Sequence, residues 1–119
     1  MVGVGIHNNV NFQQIINEYM DPILRVIEKR PNILLVWLST TAAGPLKPLQ
    51  YLPMQGNTNI QRYNEKMSAY LKMHGVPIFD AFKMTEKAHS FDGTHYGMAM
   101  NLLKSRLLIR SVLHVVNNV

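Results

Sequence analysis

The chain has 119 residues, 47% of them hydrophobic and 16% charged, so it is long enough for one domain with a buried core and too apolar to be disordered. Twelve Lys and Arg against seven Asp and Glu give a net charge of +5, but the basic residues are scattered and form no run with interleaved aromatics, which argues against a nucleic-acid interface. There is no cysteine, which excludes disulfides, thiolate metal sites and a Cys nucleophile, and no stretch approaches the ~20 apolar residues of a membrane span.

Residues 2–6 alternate Val, Gly and Ile and read as a short buried strand ending in His7, Asn8 and Asn9. The segment is apolar but too short, and lacks the basic start, of a signal peptide. Asn11 then suits the N-cap of a helix, with Phe12, Ile15, Ile16, Tyr19, Met20, Ile23, Leu24 and Ile27 at helical spacing. Pro22 interrupts this pattern: Asp21 and Pro22 either cap and begin a second helix or mark a kink in one. Lys29 and Arg30 fit a helix C-terminus.

The apolar run 33–38 has the length of a strand covered on both faces. Ser39, Thr40 and Thr41 close it. Residues 42–56 carry Gly44, Pro45, Pro48, Pro53 and Gly56 and read as a long loop of the kind that serves as a lid or binding segment. Asn57 or Asn59 opens the next helix, with Ile60, Tyr63, Met67, Tyr70, Leu71 and His74 on one face and Gly75 as its stop. Met67 and Met73 read as core filler.

Residues 76–80 form a third short strand with Pro77 near its start, and residues 81–88 one or two helical turns. A last helix follows from Met98 to Val116. Met98, Leu102, Leu103, Leu107, Ile109, Leu113 and Val116 give it a broad apolar face, and Arg106, Arg110 and His114 a polar stripe.

The order β-α-β-α-β-α implies parallel strands with right-handed crossovers, and sites in such sheets gather at the strands' carboxyl ends. The expected fold class is therefore α/β, a three-layer α/β/α arrangement on a short parallel sheet.

One stretch carries chemistry. Phe91-Asp92-Gly93-Thr94-His95-Tyr96-Gly97 precedes the last helix and sets a carboxylate three residues before an imidazole, across small residues. Such a turn lets the acid orient the ring and stabilise its protonated form, as in a Ser-His-Asp triad. The plain reading of the same four residues is a capped turn beside a surface histidine. A further reading groups His7, His89, His95 and Asp92 as metal ligands, but their spacing is irregular.

The Asp92-Gly93-Thr94-His95-Tyr96 block, the Gly75-Val76-Pro77-Ile78-Phe79-Asp80 strand before it, and Gly5-Ile6-His7-Asn8 together resemble the C-terminal half of an SGNH (GDSL-like) hydrolase. The nearest branch is that of the PC-esterase, trichome-birefringence-like and sialate O-acetyltransferase-like proteins. The resemblance spans nearly the whole chain and about half of a family domain. It implies an SGNH-type acyl-ester hydrolase or O-acyltransferase without a cofactor, acting on an acyl-ester or glycan-type small molecule. It makes His95 the base and Asp92 its orienting acid.

His7 and Asn8 stand where the family has an Asn and an Asp, and the resemblance gives them the oxyanion role. Relatives of this branch work in Golgi or secretory compartments. The family's Gly-Asp-Ser nucleophile block does not occur among residues 1–119, and none of Ser39, Ser68, Ser90, Ser105 and Ser111 has its context. The isolated chain is therefore expected to be inactive, as a shortened domain or a non-catalytic remnant. An unpaired sheet edge at residues 2–6 or 33–38 is expected to favour self-association or a complementing chain.

Overall fold

A computed structural model describes residues 11–118. The strand expected at residues 2–6, and with it His7 and Asn8, lies outside the described residues.

The chain enters through α1 (Phe12–Ile15), capped by Asn11, whose side-chain oxygen accepts from the Gln13 N–H at 2.8 Å. A π-helical turn (Ile16–Met20) leads directly into α2 (Asp21–Glu28). Pro22 therefore sits in the first turn of α2, which continues from α1 through the π turn without a break. The wider turn puts the Asp21 N–H on the Ile16 carbonyl five residues back, just before a residue with no N–H to offer.

β1 (Trp37–Leu38) and β2 (Ile78–Phe79) form a two-stranded parallel sheet, with Trp37 opposite Ile78 and Leu38 opposite Phe79. The molecule is thus mixed α/β. The run 33–38 contributes only its last two residues to pairing. Trp37 donates its N–H to the Pro77 carbonyl at 2.9 Å, but Pro77 has no N–H to return, so the ladder does not extend further toward the strand starts.

Between the strands, the expected loop of residues 42–56 is partly helical, with a 3₁₀ turn (Leu49–Tyr51) and α3 (Leu52–Gln55). The long α4 (Asn57–Met73) follows, with Gly56 as its N-cap. It stops at Gly75, whose φ of +70° is the left-handed conformation that glycine adopts without strain. After β2 come α5 (Ala81–Thr85) and α6 (Met98–Asn117).

The main core joins α1, the π turn and α2 to α4 and the sheet. Ile15, Ile16, Met20, Leu24, Met67, Leu71 and Val76 are buried there, with Trp37, Tyr63 and Ile78 packed against them. Met67 is fully buried as expected, whereas Met73 is 80% exposed at the end of α4 and fills nothing. A second cluster of Ala42, Ile60 and Phe82 lies under the segment that leaves β1.

The broad apolar face of α6 is not buried. None of its residues is, and Met98, Leu102, Leu103, Leu107, Ile109, Leu113 and Val116 all face solvent. The helix meets α5, but the described sheet, two strands wide and two residues long, offers the stripe little area to cover. No described helix is long and apolar enough to cross a membrane.

Candidate functional site

The segment 39–47, after β1, is built around side chains that close its backbone hydrogen bonds. Asn64, buried on α4, accepts the Thr40 N–H on Oδ1 and donates Nδ2 to the Thr40 carbonyl, both at 2.8 Å. Asn57 treats Ala43 in the same way, at 2.7 and 3.0 Å. The Ala42 N–H donates to the buried Thr85 hydroxyl at 3.0 Å. Side chains thus take the place of strand partners for these backbone groups. Ser39, buried at the end of β1, is spent in the same way: its Oγ accepts the Phe82 N–H at 3.0 Å and faces Asp80 at 3.3 Å.

The 90–97 loop is laid onto this frame. Ser90 is completely buried and donates its Oγ–H to the His95 carbonyl at 2.8 Å, and it bridges to Tyr96 as an isolated antiparallel pair. The Tyr96 phenol reaches the Ala42 carbonyl, with the Thr85 carbonyl at 3.3 Å. The Gly44 N–H donates to the Gly93 carbonyl at 3.0 Å. Gly93 has φ +82° and passes so close to Lys47 that no side chain fits between them.

Asp92 and His95 are brought together by this turn. Asp92 Oδ1 accepts the backbone N–H of both Thr94 and His95 at 2.8 Å. Its other oxygen, Oδ2, lies 2.6 Å from His95 Nδ1. An ionised carboxylate only accepts, so Nδ1 carries the proton and Nε2 of the neutral ring is left with its lone pair. The His95 contact and the two backbone N–H groups hold the Asp92 carboxyl well below the usual carboxylate range. Both side chains are open to solvent, His95 at 73% and Asp92 at 51%.

The arrangement can therefore take up a proton at Nε2 and stabilise the imidazolium that results. No described hydroxyl bonds Nε2. Ser90, the nearest serine in sequence, points its Oγ to the His95 backbone and not to the ring. Ser68, Ser105 and Ser111 lie within helices as expected. Among the described residues no group of three or more His, Cys, Asp and Glu side chains converges on one point, and His89 joins no such cluster with His95 and Asp92.

Two cavities matter for position. One, about 750 Å³, lies along β2 between α4 and α5, lined by Asn64, Glu65, Lys72, Asp80 and Lys83 among others, and no residue of the 90–97 loop reaches it. A smaller one of about 70 Å³ lies beneath the loop, where Gly93 and Thr94 meet Thr40, Thr41, Lys47 and Gln55.

Lys47 was not a candidate in the sequence, where it is one lysine between two prolines. It is 8% exposed and donates Nζ to the Thr94 hydroxyl at 2.7 Å. Burial lowers its pKa, and the negative charge of Asp92 pulls it part of the way back. Asn57, Asn64 and Thr85 were also missed as supports of the site. The one available signal was Asn64, a polar residue on the Ile60, Met67 and Leu71 face of an amphipathic helix.

Comparison with protein-family models, curated proteins and solved structures finds no match for this chain.

Proposed function

We propose that this chain carries the acid–base half of an acyl-transfer site, with His95 as the base and Asp92 as the residue that orients it. The observation that supports this most directly is the 2.6 Å contact of Asp92 Oδ2 with His95 Nδ1, which leaves Nε2 exposed and unpaired. Two backbone N–H groups fix the carboxylate, so the pair is ordered before any substrate arrives. The reading goes with an SGNH-type hydrolase or O-acyltransferase. In that reading β1 and β2 are neighbouring strands of a three-layer α/β/α sheet, and α4 is the crossover between them.

In the proposed reaction a serine hydroxyl supplied by another segment or chain attacks the ester carbonyl while His95 Nε2 accepts its proton. The imidazolium, held by Asp92, returns that proton to the leaving alcohol, and an acyl-serine remains. Water or an acceptor hydroxyl then takes the acyl group by the same proton path in reverse. His7 and Asn8 remain the proposed oxyanion donors. No cofactor enters these steps.

Aryl-acetate hydrolysis and fluorophosphonate labelling test the proposal. The chain by itself should show neither. A polypeptide or complex that adds a Gly-Asp-Ser block should show both, and His95→Ala should lower turnover by ~100-fold or more. Turnover that is indifferent to His95→Ala in that assembly refutes the assignment. Absence of turnover in that assembly leaves a binding or remnant domain as the better reading.

A further inference from the structure

β2 has an open edge. The Pro77 and Phe79 carbonyls accept from the N–H groups of Trp37 and Ser39, so these residues turn their backbone groups toward β1. Successive residues of a strand point N–H and C=O to opposite sides, and those of Ile78 therefore point away from β1. On that side Ile78, the Val76 carbonyl and the Asp80 N–H have no backbone partner among the described residues. A row of such groups is a template for a further strand.

This edge is the floor of the cavity of about 750 Å³ described above. Val76, Ile78 and Asp80 line it, with Ser68 and Lys72 of α4 on one wall and Lys83 of α5 on the other. The fold supplies no strand for it. α1, the π turn, α2 and α4 share one core, on the face of the sheet that carries Trp37 and Ile78. Right-handed crossovers on one face add strands in one direction, so a strand ahead of α1 belongs beside β1 and not beside β2. A second copy does not fit either. Its β2 edge is recessed between the same two helices, and the walls of the two clefts would meet before the edges came within the ~4.8 Å of a strand pair.

We propose that this cleft binds an extended peptide segment, which joins the sheet as a further strand along residues 76–80. A single strand without helices of its own can reach the cleft floor. Its backbone then meets the Val76 carbonyl, both groups of Ile78 and the Asp80 N–H, the mode in which main-chain bonds give the affinity. The charges on the walls balance, Lys72 and Lys83 against Glu65 and Glu86, and favour a segment of no net charge. The site is independent of the chemistry at His95, whose loop does not reach the cleft.

The test is titration of the ¹⁵N-labelled intact chain with a heptapeptide of alternating threonine and valine, acetylated and amidated at its ends. Four neutral hydrogen bonds without matched side chains place Kd at ~1 mM. The Ile78 and Asp80 amides should exchange fast in the chain alone and slow with peptide. The Phe79 amide, which faces β1, should change little. The same peptide N-methylated at every residue should not bind, because it keeps the side chains and loses the donors. Ser68→Trp, which fills the cleft from the α4 wall, should weaken binding at least tenfold.

Absence of saturable binding overturns the proposal, as does equal binding of the N-methylated peptide or protection of amides elsewhere than Ile78 and Asp80. An Ile78 amide protected without peptide, in step with protein concentration, overturns it in favour of pairing between copies. The amide pattern decides the matter even if Ser68→Trp does not fold.

Discussion

A Cβ placed on Gly93 would stand 2.1 Å from the backbone nitrogen of Lys47 and 2.3 Å from its Cα. The contact is between two backbones, so no side chain can swing aside to relieve it. Gly93 also has φ +82°, where a Cβ is strained in open space as well. Gly93→Ala should therefore cost ~2 kcal/mol or more of unfolding free energy in urea titrations, and it should separate the Asp92 turn from the segment 44–47. Gly75→Ala, with the same sign of φ but nothing within 4 Å of the added Cβ, should cost less, on the order of 1 kcal/mol. Equal losses at the two positions would show that the close approach to Lys47 contributes nothing.

Asn64 is the joint between α4 and the segment after β1. Asn64→Leu is close in volume but leaves the Thr40 N–H and carbonyl without partners in a part-buried position. The expected loss is ~2–4 kcal/mol, well above that of an ordinary surface substitution, read from chemical denaturation. Amide exchange at Thr40 should accelerate with it. A neutral effect on both would mean that water replaces the asparagine at no cost.

The apolar residues of the two longest helices should behave differently. Met67 is fully buried in the main core, and Met67→Ala should cost about 2–5 kcal/mol. Leu102, on the apolar stripe of α6, is 63% exposed, and Leu102→Ala should stay within about 0.5 kcal/mol in dilute solution. A large loss at Leu102 would show that the stripe is covered in the folded protein.

Alkaline pH tests the core directly. Burial pushes the Tyr63 and Tyr70 phenols up to about 12, and at Tyr70 a hydrogen bond to Asp21 adds to the effect. A phenol whose pKa is raised on folding contributes stability that is complete below its unfolded value near 10 and is lost as pH rises through about 12. Lys47 acts in the opposite sense. Its lowered pKa makes stability rise with pH up to its ordinary value of 10.5. Unfolding midpoints measured across pH 9 to 12.5 should pass over a maximum and then fall, and the double variant Tyr63→Phe and Tyr70→Phe should flatten the fall. An unchanged fall in that variant would locate the alkaline limit elsewhere.

Local patterns in the chain carried the elements whose formation depends on near neighbours. Asn11 caps its helix, Gly75 ends the 57–73 helix, and the 98–117 helix starts directly after the Asp92 turn, because capping groups and helical periodicity act within a few residues. The extent of the strand at 33–38 was not legible. It depends on Pro77, about forty residues away, lacking an N–H for the ladder. Pro22 was ambiguous because a π turn absorbs it at no cost to the hydrophobic pattern.

At the site, the Asp92 and His95 pair could be read from spacing, since both residues belong to one turn. Lys47 could not. Its importance comes from its close approach to Gly93 and its hydrogen bond to Thr94, and nothing in the sequence near residue 47 announces that. The exposed face of α6 shows the converse limit. Its periodicity marks which residues would face a partner layer, and says nothing about whether the described residues supply one.

The most direct measurement on the Asp92–His95 pair is the tautomer of the His95 ring, from long-range ¹H–¹⁵N correlations at a pH where the imidazole is neutral. Because Asp92 Oδ2 accepts from Nδ1 at 2.6 Å, Nδ1 should carry the proton and Nε2 should be the unprotonated nitrogen, and Asp92→Ala should remove this bias. A wild-type ring protonated at Nε2, or a tautomer indifferent to Asp92→Ala, would contradict the assignment of His95 as a base held ready by Asp92.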